Sequence, residues 1–236
     1  MDRDGTTRLT YAELQAGVRP DDDVTIEGGG VVRGADLSGW TVSWLRFADS
    51  TSALDRVLPR QLKRGRPGHE IPQFIDCDFS GLACPALDPG IARFVQCRFE
   101  DVDVRLTLGT TSAHFENCVF SGRWEGTFDA RRDARDPARL AVIRGNDFTG
   151  CREMGLQGGV DRTANTFDPS LHLPLWRGDP KWARIREVAA EDTYLHNVVT
   201  SIEGQGPFDL AQDWAVLHRD LVDDDLWARL QQVTAA

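Results

Sequence analysis

The side chains best suited to chemistry in this chain are five histidines, five cysteines, a few spaced carboxylates and two clusters of basic residues. His69, His114, His172, His196 and His218 are scattered, and none stands in a GxSxG or HExxH pattern. His114 precedes Phe115 and is expected to point outward. The glycine-rich stretches VTIEGGGVVRG (24–34) and GLQGGVD (155–161) match no phosphate loop, so glycine there is read as serving tight corners. Asp76, Asp78, Asp101 and Asp103 are outward candidates for the paired acids of glycoside chemistry. They are equally the acidic decoration of a solvated surface. Cys77, Cys97 and Cys118 recur in register, but zinc needs ligands that converge on a tetrahedron. Side chains in register run parallel, and no CxxC accompanies them. The expectation is therefore no metal site, no cofactor and no assigned catalytic residue.

The basic clusters carry the sharper expectation. DRVLPRQLKRGRPGHE (55–70) holds Arg56, Arg60, Lys63, Arg64 and Arg66, and ARRDARDPAR (130–139) holds Arg131, Arg132 and Arg135. Arginine offers a rigid fork of donors to carboxylate or phosphate. On a chain of net charge −10 these eight residues are candidates for contact with an anionic partner. The same net charge disfavours nonspecific nucleic-acid binding. The acidic runs Asp21–Asp23 and Asp223–Asp225 are read as helix-end and loop charges. No apolar run reaches the roughly 18 residues of a membrane span, and the N-terminal MDRDGTTRLTYAEL lacks an apolar leader core. An odd number of cysteines, three of them in register, argues for packed free thiols. A cytoplasmic location is expected.

The elements that must hold these residues are set by a repeat. FIDCDFSG (74–81) is echoed by FVQCRFED (94–101), FENCVFSG (115–122) and IRGNDFTG (143–150). The second aromatics, Phe79, Phe99, Phe120, Phe148 and Phe167, lie 20, 21, 28 and 19 residues apart. Such a period signals stacked supersecondary units. Within a unit apolar positions recur every five, and ADLSG, WTVSW and LRFAD (35–49) keep that beat without gaps. Five fits neither the helical period of 3.6 nor the strand period of 2. It fits a chain that turns a corner every five residues and buries two side chains per face, with four faces to a coil. Aligned Phe and Cys would then form interior ladders. The two basic inserts precede Phe74 and Ile143, which open the same face, so both are expected to leave one corner.

ADLSG and the recurring small-or-Cys, any, Phe-or-Leu pattern resemble the pentapeptide-repeat family over roughly residues 24–170. The resemblance implies a mainly β fold: a quadrilateral right-handed parallel β-helix, with a short N-terminal cap and C-terminal α-helices. Some members of that family dimerise through C-terminal elements, and some are similar to B-DNA in shape and charge and bind DNA gyrase.

The expected organisation is a cap over 1–23, the β-helix over 24–170 with inserts at 55–70 and 129–139, and helices over 171–236. Thr10 and Glu13 have capping-box spacing, Leu9 and Leu14 suit a hydrophobic staple, and a helix is expected at 10–16. Asp179–Pro180 reads as a helix start. A further helix is expected from Asp209, with Leu210, Trp214, Leu217 and Leu221 on one stripe, and a last one through Leu226, Trp227 and Leu230. The helices serve as a cap, or as a homodimer or partner surface through the Trp-bearing stripe. The function expected is a non-enzymatic protein-interaction scaffold of a bacterial cytosol, binding through a rigid β-helix surface. The alternatives are a carbohydrate-active β-helix lyase or hydrolase, and a DNA mimic acting on a topoisomerase.

Overall fold

Left-handed backbone recurs at one position of every unit. Gly34, Asp76, Gln96, Asn117 and Gly145 all have φ between 55° and 68°. Each follows a short strand and turns the chain toward the next inward residue. A second such corner falls at Gly39, Gly81, Asp101 and Gly122. At Gly122 a Cβ would lie 2.4 Å from the Val102 carbonyl oxygen, so the layers approach there too closely for any side chain.

The computed structural model describes residues 7–20, 22–27, 30–47, 72–90, 92–107, 113–130, 142–158, 163–204 and 214–235. In chain order its elements begin β1 (Thr7–Thr10), α1 (Tyr11–Gln15), β2 (Val24–Glu27), β3 (Val31–Arg33), β4 (Trp44–Phe47), β5 (Gln73–Ile75) and β6 (Ala83–Cys84). They continue with β7 (Ala86–Asp88), β8 (Arg93–Val95), β9 (Arg98–Val104), β10 (His114–Glu116), β11 (Val119–Ala130), β12 (Ile143–Arg144) and β13 (Asp147–Gly158). Then come β14 (His172–Trp176), α2 (Trp182–Ala189), α3 (Thr193–Ile202), β15 (Trp214–His218), a 3-10 turn at Arg219–Leu221 and α4 (Asp224–Ala235). The first sheet has the order β1-β2-β4-β7 and the second β12-β10-β8-β5-β3, both parallel. The third, β14-β15-β13-β11-β9-β6, is mixed, because β15 runs antiparallel to both β13 and β14.

The expected single right-handed parallel β-helix is thereby corrected. The strands fall into three separate sheets, none of them closed, in a mainly β multi-sheet fold that also carries α-helices. The physical reason lies in the third sheet. The five-residue beat predicts a corner every five residues, yet β11 and β13 each run for 12 residues. Register shifts between Val119 and Ser121 and between Arg123 and Gly126 absorb the change of direction that separate faces would have required.

The interior ladders do form. Phe79, Phe99, Phe120, Phe148 and Phe167 stack with centroid spacings of 4.8, 5.0, 4.8 and 5.7 Å. A second column runs Phe74, Phe94, Phe115, at 5.3 and 5.0 Å. Burying each ring contributes about 2–3 kcal/mol before entropy. Beside the rings, the Cys77, Cys97 and Cys118 thiols donate to the carbonyls of Val32, Phe74 and Phe94, one layer back. Asn146 takes the next slot, its Nδ2 donating to Phe115 O at 2.9 Å and its Oδ1 accepting from Cys118 N at 2.9 Å. The small slot thus needs a donor that reaches the preceding layer, which Cys and Asn both supply. The Cys118 thiol beside it, together with burial, pushes the Cys97 thiol up to about 12.

At the N-terminal end Thr10 and Glu13 form the reciprocal capping box, and Leu14 is buried. The Gln15 amide donates to Arg33 O and accepts from Arg33 N, both at 2.9 Å, so α1 occupies the hydrogen-bonding edge of β3. Replacing Thr10 with alanine is expected to cost about 1 kcal/mol, read as a lowered urea midpoint at constant slope.

Two C-terminal expectations are corrected. Residues 214–218 form β15 rather than helix, with Trp214, Leu217 and their neighbours buried on both faces. A continuous apolar run, WAVL, reads as a buried strand as well as a helical stripe, and pairing on both sides decides it. Within that stripe Trp214 and Leu217 are therefore buried inside the chain. The helix near Asp179 begins at Trp182 with Lys181 as cap residue, and Asp179 Oδ1 instead accepts from Lys181 N at 2.8 Å. Around β14, β15 and the helices a second core gathers Leu175, Ile185, Leu195, Val199, Leu217 and Leu230.

Candidate anion-binding site

The second sheet turns one face inward through Val32, Phe74, Phe94, Phe115 and Ile143. Strand alternation then places Gln73, Arg93 and His114 in one outer column, and Glu116 beside Arg144 in another. Glu116 is the centre of this surface, its side chain only 6% exposed. Arg93 donates from Nε to Oε1 at 2.7 Å, with Nη2 at 2.6 Å. Arg144 donates to Oε2 from Nε at 3.0 Å and from Nη2 at 2.7 Å. Burial pushes the Glu116 carboxyl up, but hydrogen bonds from Arg144 and Arg93, and then their charges, hold it below the usual carboxylate range.

His114 completes the edge. Its Nδ1 accepts from Val142 N at 3.2 Å, which leaves the N–H of the neutral ring on Nε2. Burial, then the Arg93 charge, keeps this imidazole below its ordinary pKa. Gln73, Arg93, His114, Glu116, Val142 and Arg144 line a cleft of about 290 Å³. Its donors outnumber its acceptors, and its formal charge is +1 with the histidine neutral. That arrangement can hold an anion and has no nucleophile.

Two other polar clusters lie away from this cleft. Glu191, Asp192, Asp223, Asp224, Asp225 and Arg229 line a second cleft, of about 410 Å³. There Glu191 takes a bidentate pair from Arg229 at 2.7 Å, Asp192 caps α3, Asp223 caps α4, and Asp224 meets Arg219 at 2.9 Å. The other cluster is buried: Cys151, His172 and His218, with ring centroids 5.0 Å apart. Burial pushes the Cys151 thiol up, far from a thiolate nucleophile.

The eight basic residues singled out by the sequence, Arg56, Arg60, Lys63, Arg64, Arg66, Arg131, Arg132 and Arg135, lie outside the described residues. Their flanks are described. The 55–70 insert returns at Pro72 into β5, and the 129–139 insert returns at Val142 into β12. Both strands belong to the second sheet, with β8 and β10 between them, so the re-entry points are about 14–15 Å apart. The four carboxylates considered for glycoside chemistry are not brought to either cleft. Asp78 accepts from Ser80 N, Asp103 pairs with Arg105, and Asp76 and Asp101 sit at different corners. Among the described residues no group of three or more His, Cys, Asp or Glu could hold a metal ion.

Sequence reasoning missed Arg93, Glu116, Arg144 and Gln73. They flank the inward apolar residues of QFI, RFV, HFE and IR, so the outward positions of successive units, read in columns, carry the signal.

Comparison of the chain with family models, curated proteins and solved structures finds no match in any of the three. Fold and site define a layered, mainly β protein with a donor-lined cleft on its second sheet. Among the described residues no helix is long and apolar enough to cross a membrane.

Proposed function

We propose that the protein is a non-enzymatic interaction module that holds an acidic protein partner at the insert-bearing edge of its second sheet. One observation carries this reading: both basic inserts re-enter the same sheet at the same strand ends, with two strands between them, beside Arg93 and Arg144. The two inserts carry nine basic residues in sequence, and Arg93 and Arg144 stand near their re-entry points, on a protein whose overall charge is −10. Rigid parallel layers beneath that edge fix the spacing of its charges. The buried thiols, each given a carbonyl partner or left wholly enclosed, suit a reducing compartment such as a bacterial cytosol.

Replacing Arg60, Arg64, Arg132 and Arg135 together with glutamate tests the proposal. The variant is expected to fold with an unchanged urea midpoint and to lose the partner captured by the parent from its native host. Identical capture and identical affinity would overturn it. Salt provides a second reading, since contacts of this type weaken as screening increases.

A further inference from the structure

We propose that the cleft around Glu116 is a receptor for a single carboxylate, held between the outward edges of Arg93 and Arg144 and the Nε2–H of His114. The site is built from described residues alone and does not depend on the inserts. Each guanidinium has five N–H groups. Arg93 and Arg144 each turn the Nε and one Nη toward Glu116. Their remaining N–H groups have no other acceptor among the described residues. Glu116 therefore anchors both guanidiniums, Arg93 on Oε1 and Arg144 on Oε2, and guanidinium is the planar fork that suits bidentate carboxylate recognition.

The remaining lining agrees. His114 has its tautomer fixed by Val142 N, so it offers a donor and no acceptor. The side chains of Arg93 and Arg144 are 42% and 67% exposed, while that of Glu116 is 6% exposed. A ligand thus meets guanidinium first and is kept off the glutamate. Charge selects among anions. Two arginines and one glutamate leave +1, which a carboxylate monoanion closes. A phosphate dianion would leave −1 next to the Glu116 carboxylate, whose like charge repels it. The cleft volume of about 290 Å³ accommodates an acidic side chain or a small free acid.

The test follows the ring signals of all five histidines by NMR at constant ionic strength and about pH 7.5. Sodium acetate, an N-acetylated tetraglutamate amide and inorganic phosphate are titrated separately. Saturable movement of the His114 signal by a carboxylate probe is expected, with the His172, His196 and His218 signals unmoved. R144Q should weaken binding about tenfold or more. R144K, which keeps the charge on Glu116 but loses the fork, should weaken it as well, with unmoved His172 and His218 signals reporting an intact fold. R229Q, at the acidic cleft, should change nothing. Tetraglutamate binding much more tightly than acetate assigns the carboxylate to an acidic protein segment, and equal binding per carboxylate assigns it to a small acid. No saturable shift with either carboxylate, or tighter binding of phosphate than of both, overturns the proposal. The insert arginines are untouched throughout, so failure here leaves the charge-reversal test above standing on its own.

Discussion

Phe120→Ala is expected to lower the unfolding free energy by about 3–5 kcal/mol. Phe120 is 1% exposed and lies between Phe99 at 5.0 Å and Phe148 at 4.8 Å, with rings within 3° and 16° of parallel. Phe115, Trp124 and Phe128 meet it edge-on at 5.6, 5.4 and 5.2 Å. Truncation removes five aromatic contacts together with the transferred area. Aromatic pairs add about 0.5–1.5 kcal/mol each beyond area, although not additively within one cluster. The cavity cannot collapse readily, because the backbones above and below are held at a fixed spacing by the sheet ladders. Phe167→Ala is the control. That ring stacks on Phe148 at 5.7 Å but is only partly buried, so its loss should cost about half as much or less. Urea midpoints at constant slope measure both. Equal losses would mean that interior stacking does not hold the layers together.

The ladder was legible in the sequence because each of its members is the same residue type, recurring 20, 21, 28 and 19 residues apart. A recurrence of one residue type survives whatever path the chain takes between its members. The number of faces was not legible. It depends on whether a given residue turns a corner or continues a strand, and Ser121–Gly126 can do either. Pairing with β9 on one side and β13 on the other extends β11 through the expected corners. Trp214–His218 shows the same limit. Its apolar run suits a helix or a buried strand, and only a partner strand distant in sequence, His172–Trp176, selects the strand. The capping box at Thr10 was readable because it is a local bond between residues three apart. The candidate cleft was not, because Arg93, Glu116 and Arg144 are 23 and 28 residues apart and meet only through strand register. Reading both faces of each strand in columns recovers it.

Acidification from about pH 7 to about pH 5 is expected to cost about 2 kcal/mol of stability, through His218 above all. The ring is fully buried where β15 meets the layers, and its Nδ1 accepts from Asp220 N at 3.0 Å. The N–H therefore sits on Nε2, which is enclosed without a hydrogen-bond partner among the described residues. Burial, and then the neighbouring His172, hold the His218 pKa down, from 6.5 to about 4; Asp220, at 4.0 Å, opposes this. Arg152, bound to Asp220 at 2.8 Å, adds to the depression. His172 is lowered too, by burial, although the Cys151 and Asp168 carbonyls at 3.0 and 3.3 Å favour its charged form. The sign follows from which state takes the proton first. Unfolded histidine protonates near 6.5 and the folded ring only near 4, so protons favour the unfolded chain. The stabilisation is complete above about pH 6.5 and is lost as the pH falls toward about 4. His218→Asn keeps an acceptor for Asp220 N and cannot titrate. It should be less stable at about pH 7 because of its smaller volume, yet its urea midpoint should change much less between about pH 7 and about pH 5. A variant that keeps the full slope of the parent would place the pH dependence outside His218.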